Sequence, residues 1–159
     1  MAAVRFLVLV LILNVIRYVV TPLLETPFVF PRLFAAMEAS PEYFNQDFTT
    51  WEWVTSYAYN FVMWGVAAGL FHLLRPVLQG GDVTASFKSF GLVWVLFAAI
   101  SAIYMNHYSH PPNFYGWNIL DAFLAFGLVA LANGILYRRI MGPFAAGTRA
   151  ATISTGAAP

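Results

Sequence analysis

Cysteine is absent from the 159 residues. That excludes disulfide frameworks, thiolate metal sites, Fe–S clusters and thiol redox chemistry. Charge is nearly as scarce, with Asp, Glu, Lys and Arg together making up 9% of the chain. Soluble domains carry about 25% charged residues, so a chain this poor in charge cannot cover a water-facing surface. Catalytic patterns are missing too. No serine sits in a nucleophile elbow, no glycine loop suits a phosphate, and no two acids pair within an apolar run. The basic residues are too few and too dispersed for nucleic acid, although they suffice for contact with anionic lipid. These absences predict a non-enzymatic protein without a nucleic-acid partner.

What is present is apolar: 60% of the residues are hydrophobic and 18% aromatic. The expectation is an all-α integral membrane protein, with four transmembrane helices in an up-down bundle. A span needs about 20 apolar residues, and runs of that length occur at about 4–24, 53–74, 87–105 and 117–137. Residues 1–142 then form one transmembrane domain, and the small, polar, unpatterned stretch 143–159 reads as a flexible tail. Arg5 ahead of an apolar run resembles a signal-peptide start. No small-residue cleavage pattern follows, so the first span is expected to stay as a signal anchor.

Four spans place both termini on one side. That side holds Arg5, Arg75, Lys88, Arg138, Arg139 and Arg149, with Asp82 as its single acid. The other side holds Arg32 among Glu25, Glu38, Glu42, Asp47 and Glu52. Short cytoplasmic loops carry the Lys/Arg excess, so the pattern predicts both termini in the cytoplasm of a bacterial inner (plasma) membrane. The outer connections are then residues 25–52 and 106–116. Trp51, Trp53, Tyr57, Tyr104, Tyr108, Tyr115 and Trp117 gather at the outer boundary, where amphipathic rings sit at headgroup level. Within the apolar first outer loop, Ser40-Pro41-Glu42 has the form of an N-cap, an N1 proline and a first-turn acid. Short interfacial helices are expected there.

Polar residues inside the spans are few and hence informative. Arg17 lies seven residues before the outer end of span one and Asp121 four residues into span four, depths of ~10 and ~6 Å at helical rise. An intramembrane charge costs several kcal/mol unless it is paired or snorkels. The first and last helices of a bundle can be neighbours, so the two charges are expected to meet. They form either a register-fixing pair or a polar pocket for a proton or ligand. Asn14 and Asn118 each precede a charged residue by three positions and can hydrogen-bond to it or across the helix pair. Asn60 and Asn133 are candidates for interhelical hydrogen bonds, and Gly65 with Gly69 forms a GxxxG match that admits close helix approach.

The histidines carry two weaker possibilities. His107 and His110 share a helix face if the last turn of span three persists, and imidazoles suit zinc or copper. A third ligand is not fixed by any spacing, and Pro111-Pro112 gives the segment the ordinary role of a hairpin. His72, three residues before Arg75, is a weak candidate for a haem ligand, with no second imidazole on its side of the membrane. No cofactor is expected. The leading functional expectation is an accessory or assembly subunit of a larger membrane complex, such as an energy-converting one. Its partners would be the lipid bilayer and either other membrane subunits or copies of itself. The contrasting expectation is a small transporter or ligand-binding protein using the Arg17/Asp121 region.

Overall fold

A computed structural model describes residues 2–44, 47–107 and 111–143. Among these there are five helices and no strand: α1 (Ala2–Glu25), α2 (Phe30–Glu38), α3 (Thr50–Leu74), α4 (Asp82–His107) and α5 (Pro112–Met141). Four of them, α1, α3, α4 and α5, are long and apolar enough to cross a membrane. Each outlasts its expected span by one to five residues at one end or both, because capping and turn chemistry set helix ends while hydropathy marks only the apolar middle. The tail expected at 143–159 lies, from residue 144 onward, outside the described residues.

Local chemistry accounts for the helix ends. Thr49 caps α3 in a reciprocal capping box: Glu52 N–H donates to Thr49 Oγ1 at 3.3 Å, while Thr49 N–H donates to Glu52 Oε2 at 2.7 Å. This satisfies two amides that a helix start leaves without intrahelical partners. The α3–α4 connection turns at Gly80, whose φ of +103° favours glycine. It is tied down by Arg75, which donates to the carbonyls of Leu78 and Gly80 and to Asp82 Oδ1 at 2.6 Å. Arg138 of α5 reaches the same carboxylate, so Asp82 clamps three segments at one end of the bundle. Pro112 opens α5 at N1 after an extended Pro111, and Gly142 at φ +89° closes it.

The connection between α1 and α3 departs from expectation in where its helix lies. Ser40-Pro41-Glu42 starts no helix; residues 41–43 form a turn that follows the end of α2. The helix lies upstream and uses Pro31 in its first turn. Both sites offer a first-turn proline, and the aliphatic Val29, 1% exposed, anchors the upstream one. Tyr115, expected among the boundary aromatics, is buried instead.

Consecutive long helices pack on each other and α1 closes on α5, so the four form a ring. The core inside that ring joins Leu9, Val10 and Leu13 of α1 to Trp64, Ala67 and Phe71 of α3, Phe90 of α4, and Phe126, Val129 and Tyr137 of α5. Trp64 is its largest wholly buried side chain and packs on Phe126 with ring centroids 4.8 Å apart. Apolar side chains also cover the outside: Leu7, Leu11, Val15 and Val19 on α1, and Leu92, Val95 and Leu96 on α4, are exposed. Such continuous apolar exposure suits lipid rather than water.

The tightest helix approach is not at the GxxxG match. A Cβ on Gly65 or Gly69 would meet Val10 or Phe6 of α1 at 3.9 and 3.8 Å, ordinary contact distances. These two glycines therefore face α1 of the same chain. The close crossing is at Gly134 of α5, where a Cβ would stand 2.5 Å from Val83 Cα.

Candidate functional site

The site begins with an irregular turn. Ile16–Val20 form a π-turn within α1, and the Thr21 amide bonds to the Ile16 carbonyl five residues back. Pro22 accounts for it. Proline has no amide hydrogen and its ring collides with the carbonyl four residues earlier, here that of Tyr18. Widening the turn relieves both problems, and the Thr21 hydroxyl adds a 3.4 Å bond to the Ile16 carbonyl. Turns of this kind are frequent at functional positions.

The extra residue changes which side chains share a face. Residues eight apart in a regular α-helix are rotated by about 80°. One inserted residue returns them to the relation of residues seven apart, about 20°. Arg17 and Glu25 are eight apart, and they meet: Arg17 Nη1 lies 2.9 Å from Glu25 Oε2. The other guanidinium nitrogen, Nη2, lies 3.3 Å from Asp121 Oδ2 on α5. One guanidinium thus holds two carboxylates, Glu25 on one nitrogen and Asp121 on the other, which makes the two acids electrostatic neighbours.

Glu25 is the residue that sequence reasoning misplaced. Counted there among the acids of the outer connection, it is 0% exposed and closes the last turn of α1. The signal that would have found it is the Thr-Pro pair three residues upstream, which forces the bulge and turns Glu25 inward. Arg17 and Asp121 are brought together as expected for neighbouring first and last helices, but as part of a triad. With both acids ionised, that triad carries a formal charge of −1.

Two oxygens of the triad have no hydrogen-bond partner, Glu25 Oε1 and Asp121 Oδ1. Beside it lies a chamber of about 190 Å³, lined by Arg17, Asn60, Trp64, Asn118 and Asp121 with apolar walls from α4 and α5. Trp64, itself 0% exposed, has an unpartnered indole N–H. Buried polar groups are rarely left unpaired, and here two of them belong to residues around one cavity.

The other polar residues divide. Asn118 lines the chamber, whereas Asn14 donates at 2.9 Å to the Val10 carbonyl of its own helix rather than to Arg17. Asn60 donates to the Ser56 carbonyl and also meets Tyr18 of α1. Asn133 donates to Ser86 Oγ at 3.0 Å and links α5 to α4.

The histidines lie elsewhere. His107 Nδ1 donates at 2.9 Å to the Ile103 carbonyl in the last turn of α4, and His110 lies outside the described residues. Among the described residues, no three His, Asp or Glu side chains group as metal ligands would. His72 bonds to the Tyr137 hydroxyl across the α3–α5 interface, and Arg75, three residues on, is held by Asp82. No protein-family model, curated protein or solved structure matches the chain.

Proposed function

We propose that the chain is a small, non-enzymatic, multi-pass protein of the bacterial inner membrane whose bundle holds a polar chamber for a small ligand or ion. In this reading the helices run up and down, both termini are cytoplasmic, and the chamber lies in the outer half between α1, α3, α4 and α5. The Lys/Arg excess around the α3–α4 connection and the end of α5 supports that orientation. One observation carries the proposal: a buried triad of one cation and two acids beside a 190 Å³ chamber, with unpartnered polar atoms on Trp64 and Asp121. A pair that served only to fix helix register would need neither the second acid nor the space.

Because the chain has no cysteine, a single introduced thiol reports access without background. Ala125 lines the chamber and is almost fully buried, whereas Ala85 is buried in the core away from it. A small water-soluble thiol reagent applied to membranes should label Ala125→Cys and leave Ala85→Cys unlabelled. Equal labelling, or none at Ala125→Cys, would refute the chamber.

A second reading, an accessory subunit of a larger membrane complex, rests on a separate observation. The outer segment around α2 and the start of α3 exposes Phe28, Phe34, Trp51, Trp53 and Tyr59. These would cover a neighbouring membrane protein. Native electrophoresis after extraction in mild detergent tests it, and a chain that runs alone as a monomer would exclude it.

A further inference from the structure

We propose that Glu25 and Asp121 together bind a single proton, shared between their carboxyl groups and exchanged with the aqueous phase through the chamber. This inference rests on the chamber reading and names what the triad itself holds.

Charge counting makes the first argument. Arg17 neutralises one carboxylate, and among the described residues no second cation pairs with either acid. The remaining ionisable residues of α3 are its tyrosines, Glu52 at its start and His72 near its end; α4 carries Asp82, Lys88 and His107 near its ends, with Tyr104. Arg138 and Arg139 lie in the last turn of α5, and Arg32 and Glu38 of α2 are exposed. α5 also carries Tyr115 and Tyr137, and among the described residues the charged groups that act on the two acids are Arg17 and each other, with Tyr18 beside Arg17. An uncompensated charge in apolar surroundings is costly, and two touching carboxylates avoid it by keeping one proton between them.

Hydrogen-bond counting makes the second argument independently. Ionised carboxylates only accept. Glu25 Oε1 and Asp121 Oδ1 are both buried acceptors without a donor, on side chains that adjoin. One proton turns the pair from two acceptors into a donor and an acceptor, which reduces the surplus of unpaired acceptors. A larger cation does not fit this count. Glu25 is wholly buried and does not line the chamber, so a bound ammonium or metal ion would reach Asp121 and leave Glu25 as it was.

The chamber supplies the route. Asp121 lines it along with the side chains of Asn60, Asn118 and Trp64. At about 30 Å³ per molecule in the liquid, 190 Å³ accommodates several waters, each needing polar partners of this kind. Proton transfer to such water moves only the proton: the carboxyl O–H bond breaks as a water O–H bond forms, and the carboxylate keeps the electron pair.

Infrared spectroscopy of the full chain in lipid at pH 7 tests this, because the exposed carboxyl groups are then ionised. The expected result is one protonated-carboxyl C=O band that shifts on transfer to D2O. It should vanish in Glu25→Gln and in Asp121→Asn, each of which leaves Arg17 one carboxylate, and persist in the surface control Glu42→Gln. Ala122→Leu, which fills the chamber, should keep the band and slow its deuterium shift at least several-fold. If the variants fail to fold, isotope labelling of aspartate or glutamate carboxyls in the unmodified chain assigns the band instead. Absence of the band, its persistence in both amide variants, or its failure to move with either label overturns the proposal. Should Ala125→Cys label normally while the band is absent, the chamber stands and the shared proton falls. A band that is present but never shifts in D2O, with Ala125→Cys unlabelled, removes the chamber and the exchange with it.

Discussion

Replacing Gly134 by alanine adds one methyl group at the tightest point of the bundle. Built on the existing backbone, that methyl stands 2.5 Å from Val83 Cα, 3.0 Å from Val83 N and 3.1 Å from Val83 Cγ2. Ordinary contact begins near 3.4 Å, so α5 and the first turn of α4 must part by about 0.9 Å. A side chain could swing away, but two of the three obstructing atoms are backbone. The displacement therefore spreads to the Asn133–Ser86 bond and the Arg138–Asp82 pair, which join the same two helices close by. Overpacking of this kind costs about 1–3 kcal/mol, against a gain of up to about 1 kcal/mol from the better helix propensity of alanine. The net expectation is a loss of about 1–2 kcal/mol, read by thermal or denaturant unfolding in detergent. Gly127→Ala is the control, since nothing lies within 4 Å of a Cβ there. It should be neutral or gain a few tenths of a kcal/mol up to about 1 kcal/mol. If Gly134→Ala proves as stable as Gly127→Ala, the close α4–α5 crossing is wrong.

Arg17→Ala leaves two acids in one buried site and should cost about 3–5 kcal/mol, the range for removing one partner of a buried ion pair. Adding Glu25→Gln and Asp121→Asn to it should restore part of that loss in the same unfolding assay; strictly additive losses would argue against contact among the three. Thr49→Ala removes the capping box at the start of α3 and should cost about 1 kcal/mol, with faster amide exchange confined to residues 50–53. Asp82→Asn releases Arg75 and Arg138 together, so proteolysis should quicken in the connection 75–81 while the chamber keeps its access to thiol reagents.

Much of the fold was legible because long apolar helices leave a coarse record: charge scarcity, four apolar runs and the aromatics that flank them are properties of segments. The adjacency of Arg17 and Asp121 followed from the same record, since ring closure joins the first and last helices and both charges sit near one boundary. What could not be read depends on angle and contact. Gly65 and Gly69 match the GxxxG pattern, yet Gly134, which belongs to no GxxxG match, is the glycine with another backbone against it. Spacing along one helix carries no information about which partner residue stands opposite. Ser40-Pro41-Glu42 likewise has sound capping chemistry, but a helix there would need an apolar anchor, and Val29 supplies one eleven residues earlier.

Glu25 shows how one proline alters the reading of a whole site. By position it ends an apolar run and opens an acidic loop, which is where a solvated glutamate belongs. Its burial requires two things that hydropathy does not register: that Pro22 cannot accept a regular turn before it, and that the resulting extra residue rotates everything downstream by about one residue's worth of helix, roughly 100°. Pro22→Ala isolates that step. Alanine supplies the missing amide and removes the ring, so α1 can return to regular α-helix, which turns Glu25 away from Arg17. The intrinsic helix propensity gained is about 3 kcal/mol, of the same order as the 3–5 kcal/mol at stake in the buried ion pair, so the fold should survive the exchange with little net change. The triad should not: the deuterium-sensitive carboxyl band should disappear although both acids are still present. If Pro22→Ala keeps that band, the π-turn does not position Glu25, and the link drawn from proline to charge cluster is broken.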